Sequence, residues 1–284
     1  MSPKAEPKVS HERERAFSWV KRNDRHGKPR LRGLTEIRGP YYSVVGPRYL
    51  QDVLETAGDY IDSLKFAAGS FSVIPKKALT EILDLCHSYD VLVSTGGWIE
   101  YVLTQGKGAV DRYIEEVKSL GFDILEISAG FISIPIDDWV ALVDRAKEEG
   151  LKPKPEVGVQ WGAGGATSAE ELEAEGVSDP GRAIAAAKKF LEAGAYLIMI
   201  ESEGITESVK TWRTDVVSQI VGALGTEKVM FEAADPDVFT WYVKNYGADI
   251  NLFVDHSQII QLEIVRRGIW GTAGVWGRVV TYKR

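Results

Sequence analysis

Eight short, β-branched apolar runs alternate with amphipathic stretches along 284 residues, and many of the amphipathic stretches close on a glycine that leads straight into the next run. That order predicts an α/β fold, a (βα)8 TIM barrel. Parallel neighbours need a long crossover, usually a helix, and right-handed crossovers repeated eight times close on themselves. The competing architecture, an open doubly wound sheet, carries a glycine-rich turn after its first strand. Here that turn reads Arg38-Gly39-Pro40-Tyr41-Tyr42. The expected organisation is one barrel domain over 31–271, a polar extension over 1–30 and a glycine- and aromatic-rich tail over 272–284.

The extension has room for a short helix at 12–21, with Ala16, Phe17 and Val20 on one side. Strands are expected at 31–37, 61–66, 91–95, 124–128, 152–157, 196–201, 229–232 and 250–254, each short and bounded by turn residues. The helices between them follow from spacing. Leu50, Val53 and Leu54 form a stripe over 49–57, and Leu79, Ile82, Leu83 and Cys86 form one over 79–86. Val110, Tyr113, Ile114, Val117 and Leu120 do the same before Gly121. A fourth helix at 139–146 follows Asp137 and Asp138, either of which suits a cap. Helices at 182–193, 209–224 and 236–246 continue the series, and a last one begins near Gln258. Gly58, Gly121, Gly150, Gly194, Gly225 and Gly247 are expected to stop helices in the left-handed conformation. The tail either covers a barrel end or packs on another subunit, as in a homo-oligomer.

The chain carries 34 Lys and Arg against 41 Asp and Glu, a net charge of −7, and has no concentrated basic face, which argues against a nucleic-acid partner. No apolar run approaches the roughly 20 residues of a membrane span. The single cysteine, Cys86, forms no internal disulfide and falls on a helix stripe. With no secretory signal pattern in the polar first 30 residues, the expected location is cytoplasmic.

In a barrel of this kind the loops after the strands build the site, so polar residues at strand ends are the candidates. They are Glu36, Lys65, Thr95, Glu126, Glu156, Glu201, Glu232 and Asn251, with Asp255 and His256 just beyond. Buried carboxylates need pairing, protonation or a metal, so a ring of them calls for Lys65 and for an oxygen-seeking cation such as Mg²⁺. Some of these side chains alternatively point into strand–helix joints, because a one-residue error in strand parity turns them off the axis. Lys65 suits a Schiff base, a phosphate or an enolate oxygen, or else a plain salt bridge. Ser70 and Gly96 lie in small-residue loops whose backbone N–H groups can approach an anion, and Arg38 adds a cation after the first strand. The loop 162–165, beside Thr167 and Ser168, is long enough for a lid. His256 has the pKa range of a proton carrier, although a lone histidine is commonly structural. There is no serine-nucleophile elbow, zinc spacing or dinucleotide fingerprint.

The stretches Gly33-Leu34-Thr35, Ala57-Gly58-Asp59-Tyr60-Ile61-Asp62 with Lys65-Phe66, Gly96-Gly97, Glu126-Ile127-Ser128, Glu156-Val157-Gly158, Phe231-Glu232-Ala233 and Leu262-Glu263 with Arg266-Arg267-Gly268 resemble the phosphosulfolactate synthase family, in order, from about residue 32 to 271. Ser94-Thr95-Gly96, Met230-Phe231-Glu232-Ala233 and Val254-Asp255-His256-Ser257-Gln258-Ile259 resemble most its eukaryotic branch, related to plant heat-stress-associated proteins. The resemblance implies a lyase that adds sulfite to phosphoenolpyruvate with Mg²⁺. Joined to the strand-end reading, this gives Lys65, Glu126, Glu156, Glu232 and His256 as the catalytic candidates, with one of Glu126, Glu156 and Glu232 as general acid or base and the others as metal ligands, and Glu36, Arg38, Ser70, Thr95, Gly96, Glu201 and Asn251 as substrate-contact candidates. The chain departs from the synthases where cations are expected, reading Arg38-Gly39-Pro40, Val159-Gln160 and Ser202-Glu203. The expected substrate is therefore a less anionic carbonyl or carboxylate compound, turned over through a metal- and lysine-stabilised enolate. The alternative is a non-catalytic stress-response scaffold that keeps the barrel.

Overall fold

Strand β1 (Thr35–Arg38) pairs in parallel with both β2 (Ser63–Lys65) and the last strand, β8 (Asn251–Asp255), so the sheet closes on itself. Between them β3 (Leu92–Ser94), β4 (Ile124–Ile127), β5 (Lys152–Val157), β6 (Ile198–Ile200) and β7 (Val229–Glu232) follow in chain order, every pair parallel. This is the closed eight-stranded barrel. It is a computed structural model that describes residues 15–165, 167–176, 179–233, 235–269, 275 and 277–282.

The helices are α1 (Pro47–Ala57), α2 (Lys76–Ser88), α3 (Ile99–Leu103), α4 (Lys107–Leu120), α5 (Ile136–Glu148), α6 (Ala169–Ala174), α7 (Gly181–Glu192), α8 (Thr214–Leu224), α9 (Pro236–Tyr246) and α10 (Ile259–Arg267). Each long one buries the stripe its spacing requires: Leu50, Leu54 and Ala57 on α1, and Val110, Tyr113, Ile114 and Val117 on α4. These stripes pack on the outward residues of the strands, among them Ile37, Leu64, Leu125, Ile127, Ile198 and Phe231, to form the main core. The alternate residues point inward. Leu34, Leu197, Met199, Met230 and Phe253 make a second, separate apolar cluster that plugs the barrel beside β6, β7 and β8. On the β1 to β5 side the inward positions are polar: Glu36, Ser63, Glu126 and Lys154, all buried. The two-residue period of a strand thus divides the interior into a dry half and a charged half.

Several expectations need correction. The helices α3 and α6 fall where only loops are expected; at five and six residues they are too short to show a stripe. The last expected helix before β7 begins at Thr214 rather than 209, and the described part of 12–21 forms turns. Residue 135, a proline, precedes α5; Asp137 and Asp138 sit inside its first turn and make no cap bond. Gly58 has φ −55°, right-handed, because the chain passes directly into a 3-10 turn (Gly58–Tyr60). The others named have positive φ.

Opposite the strand C-termini, residues 15–30 cross the bottom of the barrel. The Asn23 amide donates to the carbonyls of Arg266 and Val279, Arg25 pairs with Glu263 at 3.2 Å, and Arg30 pairs with Asp62 at 2.9 Å. Val275 and Val279 of the tail are buried. Where described, the tail therefore covers a barrel end. The rest of the tail, and residues 1–14, lie outside the described residues.

Candidate active site

A chain of alternating charges climbs from the barrel interior to its mouth. Ser63 Oγ donates to Glu36 Oε1 at 2.9 Å, and Lys154 Nζ donates to Glu36 Oε2. The same ammonium lies 3.0 Å from Glu126 Oε2, whose other oxygen is 2.9 Å from Lys65 Nζ. Lys65 then donates to Glu156 Oε2 at 2.9 Å. Each lysine is shared by two carboxylates, because β4 and β5 place Glu126 and Lys154 in register and β2 brings Lys65 up beside them. Beside this chain Arg38 donates to Glu232 at 3.1 Å and stacks its guanidinium over Tyr42 and Phe253, at 4.7 and 5.2 Å. The Lys65 ammonium also lies 4.9 Å from the Phe253 ring centre.

The charges do not balance if every group is ionised. Glu36, Glu126, Glu156, Glu201 and Glu232 face Lys65, Lys154 and Arg38, so two carboxylates are in excess. Two of them answer with raised pKa values. Burial, outweighing the attraction of Lys65 and aided by Glu126 and Glu232, pushes Glu156 up to about 7. Burial, with Glu232 and Glu156 alongside, holds Glu201 well above the carboxylate range. In contrast, burial works against ionised Glu126, but Lys65 and Lys154 overcome it and keep its carboxyl below the ordinary value. Burial alone pulls the Lys65 ammonium down, and the surrounding glutamates reverse this, raising it well above the lysine norm. The site therefore holds a fixed cation next to a carboxyl poised to gain or lose a proton near neutrality.

Loops brace the rim. Glu201 Oε1 accepts from the Glu203 backbone N–H at 2.9 Å, and Glu203 Oε2 accepts from Gly164 N–H at 2.8 Å. Thr167 Oγ1 donates to the Gly162 carbonyl at 2.6 Å within the glycine loop expected as a lid, and the Gly164 bond to Glu203 ties that loop to the rim. Thr95 Oγ1 accepts from the Glu126 backbone N–H at 3.1 Å and aligns β4. Gly96 has φ 63°, and a Cβ there would stand 2.0 Å from the Phe66 carbonyl oxygen, so no other residue fits.

The structure thus brings Lys65, Glu126, Glu156, Glu232, Glu36, Arg38 and Glu201 into one cup. Ser70 lies in the 3-10 turn (Ala67–Val73) after β2. His256 turns away: its Nδ1 lies 3.0 Å from the Arg38 carbonyl, and its ring packs edge-on against Tyr49. Asn251 is a correction, since it opens β8 rather than ending it. Its amide donates to the carbonyls of Thr226, Glu227 and Val229 and its oxygen accepts from Leu34 N–H, all at the far end from the cup. Taking the polar residue at each strand end misses Lys154, two residues before Glu156 on the same side of β5. The available signal was the alternation Lys152, Lys154, Glu156.

The proposed Mg²⁺ trio of Glu126, Glu156 and Glu232 does not fit a metal as it stands. Both Glu126 oxygens face ammonium groups, and among the described residues no three His, Cys, Asp or Glu side chains converge as a metal set. Nor is any helix among them long and apolar enough to cross a membrane.

Comparison with known proteins agrees with the residues. The family model described as (2R)-phospho-3-sulfolactate synthase (ComA) matches residues 23–272. The chain belongs to the phosphosulfolactate synthase family. Within reach of that family, Protein HEAT-STRESS-ASSOCIATED 32 of Arabidopsis thaliana is 39% identical over 88% of this chain and 91% of its own length. The phosphosulfolactate synthase of Methanothermobacter thermautotrophicus is 27% identical, covering 87% and 93% of the two chains. Among solved structures, the carboxyl transferase domain of Rhizobium etli pyruvate carboxylase, with pyruvate and biocytin, superposes with a TM-score of 0.51 at 12% identity. That match covers 80% of this chain but only 40% of the other, and shows the shared barrel alone.

Proposed function

We propose that this member of the phosphosulfolactate synthase family is a lyase-type enzyme that forms an enolate from a small carbonyl or carboxylate compound other than phosphoenolpyruvate with sulfite. The observation that carries this is the Lys65 ammonium 2.9 Å from both Glu126 and Glu156, with Glu156 raised to about 7. Ionised Glu156 takes a proton from the carbon next to the carbonyl. The C–H electron pair moves into the new C=C bond and the carbonyl electrons move onto oxygen. Lys65, kept charged by Glu126, stabilises that oxygen without reorganising. Arg38 orients the carboxylate end of the substrate. The same steps in reverse protonate an enolate carbon, and no step is routed through Mg²⁺.

The choice of substrate follows from charge. Lys65, Lys154 and Arg38 are each already paired with a carboxylate, so the cup offers little to a phosphate and a sulfite together. A second reading, a non-catalytic stress-related scaffold, draws on the 39% identical relative and its printed name. Exchange of the pyruvate methyl protons in D₂O, followed by NMR, separates the two. Catalysed exchange should rise with pH through about 7 and level off as Glu156 ionises. Lys65→Met and Glu156→Gln should each lose about 100-fold or more. No exchange, or exchange indifferent to both variants, removes the enolate reading. Product from phosphoenolpyruvate plus sulfite would instead restore the synthase reaction.

A further inference from the structure

A groove of about 580 Å³ leaves the cup sideways, and Glu156 belongs to the walls of both. It runs between the loop after β4, the loop after β5 and helix α7. Its walls are apolar: Ile132, Ile134, Trp139, Val157, Val159 and Trp161 contribute. The opposite wall is α7, where Arg182-Ala183-Ile184-Ala185-Ala186 puts small side chains at Ala183, Ala185 and Ala186 and leaves the space open. Among the described residues, the charged lining side chains besides Glu156 are Arg182 and Lys189, both cationic. They lie seven positions apart, two turns and about 10 Å along one face of α7. Lys189 pairs loosely with the exposed Asp137 at 3.4 Å, while Arg182 has no ion pair among the described residues. The volume falls in the range of about 300–1,000 Å³ that holds drug-sized ligands, far more than a three-carbon acid fills.

We propose that the substrate is an elongated carbonyl acid: its reacting head lies over the Lys65–Glu156 pair, an apolar body fills the groove, and a terminal anion meets Arg182. Charge complementarity argues for this occupant. The groove meets the cup at Glu156, is apolar along its walls, and is cationic only at its rim. For the head group this rests on the enolate reading above; the groove stands on its own geometry.

Binding of a homologous series by calorimetry tests it: pyruvate, 2-oxohexanoate, 2-oxooctanoate and 2-oxononanedioate. Affinity should rise about fourfold per added methylene, the equivalent of ~0.8 kcal/mol each. The dioate should bind at least about fivefold tighter than a monoacid of matched apolar length, and Arg182→Glu should abolish that gain. Ala185→Trp, at an exposed position on the wall, should collapse the ratio between the eight-carbon acid and pyruvate, and Ala186→Phe should repeat the result if the first variant folds poorly. A flat series, a slope that survives both fillings, or no binding by any member overturns the groove. A dioate without advantage, or one whose advantage survives Arg182→Glu, overturns the terminal anion. Lys65→Met reports on the head alone: unchanged pyruvate affinity would sink the enolate reading while the chain-length slope still judges the groove.

Discussion

Lys154 is the residue on which the buried charges depend. Its ammonium serves Glu36 and Glu126, and all three side chains are fully buried. Removing one partner of such a set leaves an uncompensated charge in a medium that solvates it poorly, a loss of about 3–5 kcal/mol, whereas removing both charges together costs much less. Lys154→Met should therefore cost about 3–5 kcal/mol in urea unfolding, and adding Glu36→Gln should recover at least about half of it. Glu36 is the partner to neutralise because Ser63 already donates to it and an amide oxygen can accept the same bond, while Glu126 keeps Lys65. A single-variant loss below about 1 kcal/mol, or no recovery in the double, would mean that water reaches this chain of charges.

At the scale of elements, the strands were legible because each is a short β-branched run between turn residues; β5 and β7 fall on the expected residues. The cup was legible at Lys65, Glu126, Glu156, Glu201 and Glu232 because strand ends aim at one mouth. Lys154 was not, since a residue one layer below the mouth needs strand parity as well as strand location. Asn251 was misplaced for a different reason: the expected strand 250–254 already put it at the N-terminal end, away from the mouth, and its polarity alone made it a candidate. Its side chain staples β8 to the segment 226–229 and to Leu34, four contacts that a neutral amide supplies at once. Asn251→Ala should then cost about 2–4 kcal/mol of stability, because buried carbonyls and an N–H lose their partners. Pyruvate exchange per folded molecule should be unaltered, and a specific fall in exchange with normal stability would return Asn251 to the site.

Across the whole molecule the two ends of the barrel carry different duties, as in barrels where loops after the strands do chemistry and the opposite face holds the fold. The bottom has its own charge set. Arg25 is buried against Glu263 and also donates to the Gly33 and Ala248 carbonyls; Arg266 donates to the same two carbonyls, and Arg267 takes the other Glu263 oxygen at 2.6 Å. Burial lowers the pKa of both Arg25 and Arg266, with Glu263 pulling the other way, so these guanidiniums are held in an unfavourable medium by their partners. The extension before β1 thereby locks α10, the segment leading into β1 and the turn before β8 into one closure. Arg25→Met keeps the volume and removes the donors, leaving Glu263 with Arg267 alone, and should cost about 3 kcal/mol in urea unfolding. Because the closure lies at the opposite end of the strands from Glu156, the pH midpoint of pyruvate exchange should stay near 7. A loss under about 1 kcal/mol would show that the extension merely rests on the barrel. A moved midpoint would show that the two ends are coupled through the charged half of the interior, with Glu36 and Lys154 as the route.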